Sequence, residues 1–220
     1  MRDAWQALQQ TDKQLALCLE FAPFADRALL SDLFNLGHEL ENAVRIPSEI
    51  MLAAIRLQWW HDALEDPSST SSRVPLVARL GTYCDAGRID RSDLISLVKC
   101  WQERIGDEEM SASDAWCTCW RHAAQIVKLS ADDSDAMADI AGHIGADFYK
   151  FGPDHTDARS HTMPVNIDIS LIRRAGARFR WLYLAGCLLA HWQVHGRVKD
   201  DPMMAWRLLL WRFGLLRAPR

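Results

Sequence analysis

Apolar residues recur every three or four positions along nearly the whole chain, while strict two-residue alternation is scarce, so the pattern predicts helices rather than strands. Residues 3–20 form a first candidate helix. Residues 26–45 form a second, with Leu29, Leu33, Leu36 or Leu40, and Val44 as its apolar stripe. Pro47 interrupts, and Ser48 with Glu49 opens a third that ends near Leu64. Residues 67–72, a proline followed by serines and a threonine, form a flexible connector too short for a domain linker. Further helices are expected over 74–84 with a stop near Gly87, over 91–105 capped by Asp90, and from Ser111 or Ser113 through Lys128. Asp132 or Asp133 opens another, running to about Phe151. Pro153 and Pro164 mark 152–166 as a loop, and long helices are expected over 169–194 and 202–216. The chain carries no internal repeat, no Gly-rich phosphate loop, no GxSxG elbow and no strand–helix alternation. One all-α domain over residues 1–220 is the expectation.

The third helix carries the chemistry. Leu52, Ile55 and Trp59 form an apolar stripe, while Gln58, Asp62 and Glu65 fall together at i, i+4 and i+7. Trp59 and Trp60 are adjacent, so they point to different faces and one of them leaves the core seam. Bulky aromatics beside Arg56, a glutamine and carboxylates suit the wall of a deep cavity. On the preceding helix, His38, Glu41 and Arg45 share a face at i, i+3 and i+7. With Glu39, Arg56, Gln58, Trp59, Trp60, His61, Asp62 and Glu65, they form the candidate cavity or ligand-binding set; Glu41, Asp62 and Asp147 are the candidate catalytic carboxylates. The structural alternative is a salt bridge from Glu41 or Glu39 to Arg56, because a buried charge needs a partner.

The run Ile55-Arg56-Leu57-Gln58-Trp59-Trp60-His61-Asp62-Ala63-Leu64 resembles the segment I-R-L-Q-W-W-R-D-A-L of a branch of the squalene/phytoene synthase family. Residues 33–40, followed by Ser48-Glu49, resemble that family's L-Y-A-F-N-A-E-L…S-E-P run, and residues 74–80 resemble its H-P-V-A-R-A-L segment. The match is clear from about Asp26 to Leu80, faint to Phe151, and lost in a shortened, divergent C-terminal part. The resemblance implies an isoprenoid-synthase-like helical bundle around a central cavity. In that family, two aspartate-rich motifs hold Mg²⁺ against prenyl diphosphates that are joined head to head. Magnesium needs carboxylate oxygens facing one another across the cavity mouth.

The chain departs from the family where that chemistry belongs. Aligned through Ser48-Glu49, the first motif falls on Glu41-Asn42-Ala43-Val44-Arg45, which keeps one carboxylate and puts a cation where a metal ligand is needed. The second retains only Asp147; Asp154 and Asp157 have D-x-x-D spacing but no matching neighbours. The branch sharing the I-R-L-Q-W-W helix without the aspartates includes a mitochondrial complex I assembly factor and its bacterial relatives. The expectation is therefore a pseudoenzyme of isoprenoid-biosynthesis ancestry acting as a lipid- or protein-binding assembly factor, with no metal site and no cofactor. The rival is a prenyltransferase joining prenyl diphosphates, which would require Mg²⁺.

Composition changes this picture in one region. The overall charge is −4, but from Ile172 onward ten Lys and Arg stand against two Asp, a local charge of +8 that leaves −12 for residues 1–171. Trp181, Trp192, Trp206 and Trp211 lie in the same tail. Basic charge with tryptophan suits an anionic membrane surface or an acidic protein; the alternative is a buried helix pair whose arginines neutralise the acidic body. The acidic body and the lack of a nucleic-acid module argue against nucleic-acid binding. The start of the sequence shows no secretory pattern, so a cytoplasmic location is expected, with peripheral contact to the inner membrane as an option. The six cysteines lack disulfide spacing, and Cys117 and Cys119 lie about 200° apart on a helix, so they cannot chelate together. His191 and His195, at i, i+4, read as a packing pair, and Trp116 with Trp120 as core. Gly142 and Gly145, inside a helix, imply either a closely approaching neighbour or ligand, or a tolerated weak helix.

Overall fold

The computed structural model describes residues 2–66, 74–106, 112–127, 131–151, 169–174, 176–198 and 201–216. Among them are eleven α-helices and no strand: α1 Arg2–Thr11, α2 Lys13–Leu19, α3 Phe24–Arg45, α4 Ile50–Glu65, α5 Pro75–Asp85, α6 Arg91–Gly106, α7 Ala112–Ile126, α8 Ala131–Lys150, α9 Ile169–Arg174, α10 Arg180–His195 and α11 Met204–Arg212. The all-α expectation holds. The expected connector at 67–72, the loop at 152–166, Ser111, Asp154 and Asp157 lie outside the described residues.

Three boundaries differ from the sequence pattern, each for a local reason. The helix expected over 3–20 is two helices, because the Asp12 carboxylate accepts the Leu15 N–H at 3.1 Å and caps a new start. The helix expected over 169–194 breaks at Gly176, whose φ of +88° lies where a side chain would be strained; a 3₁₀ turn, Ala177–Phe179, leads into α10. The last helix stops short of 216 at Gly214, φ +70°, where the Leu215 N–H reaches back to the Leu210 carbonyl at 2.9 Å.

Helix α3 is the hub, packed by α1, α2, α4, α5, α6 and α7. From Leu29 to Gly37 every residue is buried, so the helix has no solvent face there and its polar groups need internal partners. They have them. Ser31 donates to the Arg27 carbonyl at 2.8 Å, Asn35 donates to the Ala4 carbonyl at 2.8 Å, and Asp32 is clamped by Arg79.

Helices α7 and α8 lie against each other, and the two helical glycines explain how. A Cβ on Gly142 would stand 2.7 Å from the Cys117 sulfur, and one on Gly145 would overlap the Trp120 ring. The close neighbour is therefore a helix of the chain itself. Cys117 faces α8, whereas Cys119 is buried towards α3, with its sulfur 4.0 Å from the Leu33 carbonyl. Trp120 opens an aromatic interior shared by α3, α7, α8 and α10. It lies 5.1 Å from Phe34, 5.8 Å from Trp181 and 5.2 Å from Phe148, which in turn meets Trp192 at 4.6 Å between ring centroids. Trp116 and Trp120 are core, as the spacing implied.

The two chain ends are tied together. Buried Asp12 accepts from Arg197 at 3.2 Å, and the Arg197 guanidinium lies 4.5 Å from the Trp192 ring and donates to the Phe151 carbonyl at 3.0 Å. Gln14 donates to the Val198 carbonyl at 2.7 Å.

Candidate functional site

Helix α3 turns Glu41 inward, where it is 7 % exposed. One carboxylate oxygen accepts from Arg104 at 2.8 Å and from the Trp101 indole at 3.2 Å, both on α6. The other accepts from the Tyr149 hydroxyl of α8 at 3.2 Å. Burial first, and then the Glu41 charge, push the Tyr149 hydroxyl up to about 12, so it remains a donor throughout the ordinary pH range. Around this group, His38 stands edge-on to Trp116 at 4.9 Å, Trp116 stacks on Tyr149 at 6.2 Å, and Trp101 meets Trp116 at 5.8 Å. The result is a carboxylate that ties its own helix to two others, with an arginine as its counter-charge.

The counter-charge is not the one the spacing suggested. Arg56 is exposed on α4, Glu39 is exposed on α3, and Arg45 points to solvent, with a bond to the Asn42 side chain at 3.3 Å. His38, Glu41 and Arg45 share a helix face, but Arg45 sits at its exposed C-terminal end. A cation does occupy the position beside Glu41; it is Arg104, delivered by a helix sixty residues further along.

Helix α4 is turned differently from the sequence reading. Its buried seam is Ala53, Leu57, Trp60, Ala63 and Leu64, facing α3, α5 and α6. The stripe Leu52, Ile55, Trp59 faces outward, at 46 %, 58 % and 42 % exposure, with exposed Met51 beside it; Ile46 and Ile50, at the end of α3 and the start of α4, are exposed as well. The helix has two apolar stripes, and the small Ala53 and Ala63 select the one that permits close approach. Trp59 is the tryptophan that leaves the core, its ring 5.1 Å from that of Trp60. Gln58, Asp62 and Glu65 are likewise exposed, with Gln58 donating to Asp62 at 2.7 Å and accepting from Gln102 at 3.2 Å. The part of this helix expected to wall a cavity is an outer surface.

The three candidate carboxylates do not converge. Glu41 is held by α6 and α8. Asp62 is on the exposed side of α4. Asp147 is buried on α8, but its partner is Lys150 one turn on, at 2.9 Å. Asp147 and Tyr149, two residues apart, are rotated about 200° on the helix, so Asp147 points away from Glu41. A magnesium cluster of the family type needs opposed carboxylates with free oxygens, and these residues do not fit one. His61, Asp62 and Glu65 place ligand atoms within 4.8 Å of one another on a single exposed turn, a grouping common on helix surfaces.

The sequence reading missed the most deeply buried carboxylate among the described residues. Asp32 is fully buried and accepts two bonds from the Arg79 Nε, at 3.0 and 2.9 Å, and one from a terminal nitrogen at 2.7 Å, with Tyr83 at 3.5 Å. Burial pushes the Asp32 carboxyl up against the opposing pull of Arg79. The available signal was an aspartate between Leu29, Leu33 and Leu36 on a helix with no room for an unpaired charge. Arg79 lay inside the matched 74–80 segment. His191 and His195 are a ring pair at 4.6 Å, and His191 also bonds Arg207 at 3.1 Å. No protein-family model, no curated protein and no solved structure matches the chain.

Proposed function

We propose that this chain is a non-catalytic, squalene/phytoene synthase-like helical protein that acts as a binding or assembly factor, with the outer face of α4 receiving a protein partner. The observation that carries the reading is the state of Glu41. The one carboxylate left from the first metal-binding pattern has Trp101 and Arg104 on one oxygen and Tyr149 on the other, so its charge is already met by an arginine and three of its roughly four acceptor positions serve the fold rather than a cation. The packed rings of Phe34, Trp120, Trp181 and Phe148 support a protein partner over a prenyl chain held inside. Four large apolar side chains exposed along one face of α4, Met51, Leu52, Ile55 and Trp59, supply a surface of the kind that partners cover.

The test is direct. Purified protein incubated with farnesyl or geranylgeranyl diphosphate and Mg²⁺ releases no pyrophosphate and forms no head-to-head product. Turnover that disappears in the Glu41→Ala variant, with the fold intact by circular dichroism, would establish the prenyltransferase instead.

A further inference from the structure

The C-terminal helix exposes a second apolar surface, and its surroundings differ from those of α4. Helix α11 is anchored by Met204, Leu208 and Trp211, which are buried against α10 and α2. That seam fixes the opposite side outward. Met203, Trp206 and Phe213 follow one another at i, i+3 and i+10 on this side, at 53 %, 61 % and 66 % exposure, and Leu215 continues it at 72 %. Arginines stand beside it. The Arg212 guanidinium lies 5.1 Å from the Phe213 ring centroid, and an Arg173 nitrogen comes within 3.8 Å of where a side chain on Gly214 would begin. Arg174 and Arg178 are exposed on the neighbouring α9 and 3₁₀ turn. The acidic residue nearest in sequence, Asp201, is occupied by Arg207.

We infer that this face is a docking surface for an anionic lipid bilayer, with Trp206, Phe213 and Leu215 entering the headgroup boundary while Arg173 and Arg212 meet lipid phosphates. Tryptophan on a helix held in one orientation and phenylalanine just past its end, with Arg173 and Arg212 beside them, match what such an interface requires: apolar burial plus attraction to negative charge. An acidic protein would be met by the same charges, and binding to polyglutamate separates the two. No helix among the described residues is long and apolar enough to cross a membrane, so the contact is a surface one. It is separate from the α4 face and does not depend on the absence of catalysis.

Sedimentation of the full chain with vesicles tests the inference. Expected is co-sedimentation with phosphatidylglycerol-containing vesicles at low salt, none with pure phosphatidylcholine, and release as salt rises. The double charge reversal Arg173→Glu with Arg212→Glu weakens binding by about tenfold or more, and Trp206→Ala with Phe213→Ala weakens it by roughly tenfold. Met51→Gln with Ile55→Gln, on the other face, binds vesicles like the parent. All these positions are exposed, and unchanged circular dichroism confirms the fold. Equal recovery in the supernatant with and without anionic vesicles overturns the inference, as does undiminished binding by both C-terminal pairs. Salt-sensitive binding to polyglutamate with none to vesicles overturns it too and assigns the face to an acidic protein.

Discussion

Helices α3 and α4 are consecutive, both carry apolar stripes and carboxylates, and on paper both suit the wall of a cavity. Their surroundings separate them. Through its middle, α3 is buried on every side, and its two inward carboxylates, Asp32 and Glu41, each have an arginine from another helix. Helix α4 buries one narrow seam and leaves its second stripe, with Asp62 and Glu65, on the outside. The same residue types thus hold the fold together in one helix and form a surface in the other. What decides the role of a carboxylate is whether desolvation obliges it to find a partner, not its presence in a motif.

Breaking α3 should have the largest effect. Arg79→Ala strands Asp32 without its counter-ion in a fully buried site, and denaturant unfolding should show a loss of about 3–5 kcal/mol. Arg104→Ala should cost less, about 2–3 kcal/mol, because Glu41 keeps the Trp101 and Tyr149 donors and is less completely buried than Asp32. A loss under about 1 kcal/mol in both variants would erase the contrast between the helices.

Acid provides an intermediate effect, located in the packed side of the molecule. His122 on α7 lies 3.3 Å from the Ser96 hydroxyl of α6, and burial holds its pKa below the usual histidine value despite the pull of Asp93. The unfolded chain therefore takes up this proton first. Stability from this group is complete above about pH 6.5 and falls as pH drops below it, by no more than about 1.4 kcal/mol per pH unit. Thermal or denaturant unfolding across pH 7 to 5 should show that slope diminished in His122→Gln. An unchanged slope would locate the acid sensitivity elsewhere.

The smallest effect on stability, and the most specific on function, belongs to α4. Met51→Gln with Ile55→Gln replaces exposed side chains by a good helix former and should move the unfolding free energy by less than about 0.5 kcal/mol per site. The same variant should lose whatever protein partner crosslinks to the parent chain. A large destabilisation would mean that the stripe is covered within the fold, and an unaltered crosslinking pattern would remove α4 as the docking face.

Much of the fold could be read from spacing alone. The long helix expected over 26–45 and found over 24–45, the helix expected over 74–84 with its stop near Gly87, and the burial of Leu29, Leu33 and Leu36 all follow from periodicity and local backbone preference. The candidate site was legible only in part. Glu41 was singled out correctly as a carboxylate at a special place, yet its partners come from 60, 63 and 108 positions away, and no local pattern encodes such separations.

By itself, then, the sequence determined that this chain is helical, where most of its helices start and stop, and that its basic and acidic charges are segregated along its length. These are short-range properties, set by backbone preference, capping groups and composition. Only the tertiary structure decided which of two apolar stripes on α4 was buried, which arginine met Glu41, and that Trp206 and Phe213 share an outer face with Arg173 and Arg212. Those outcomes depend on helices far apart in sequence competing for the same contacts. Gly142 and Gly145 mark where side chains of α7 press against the α8 backbone, an approach that a larger residue at either position would block.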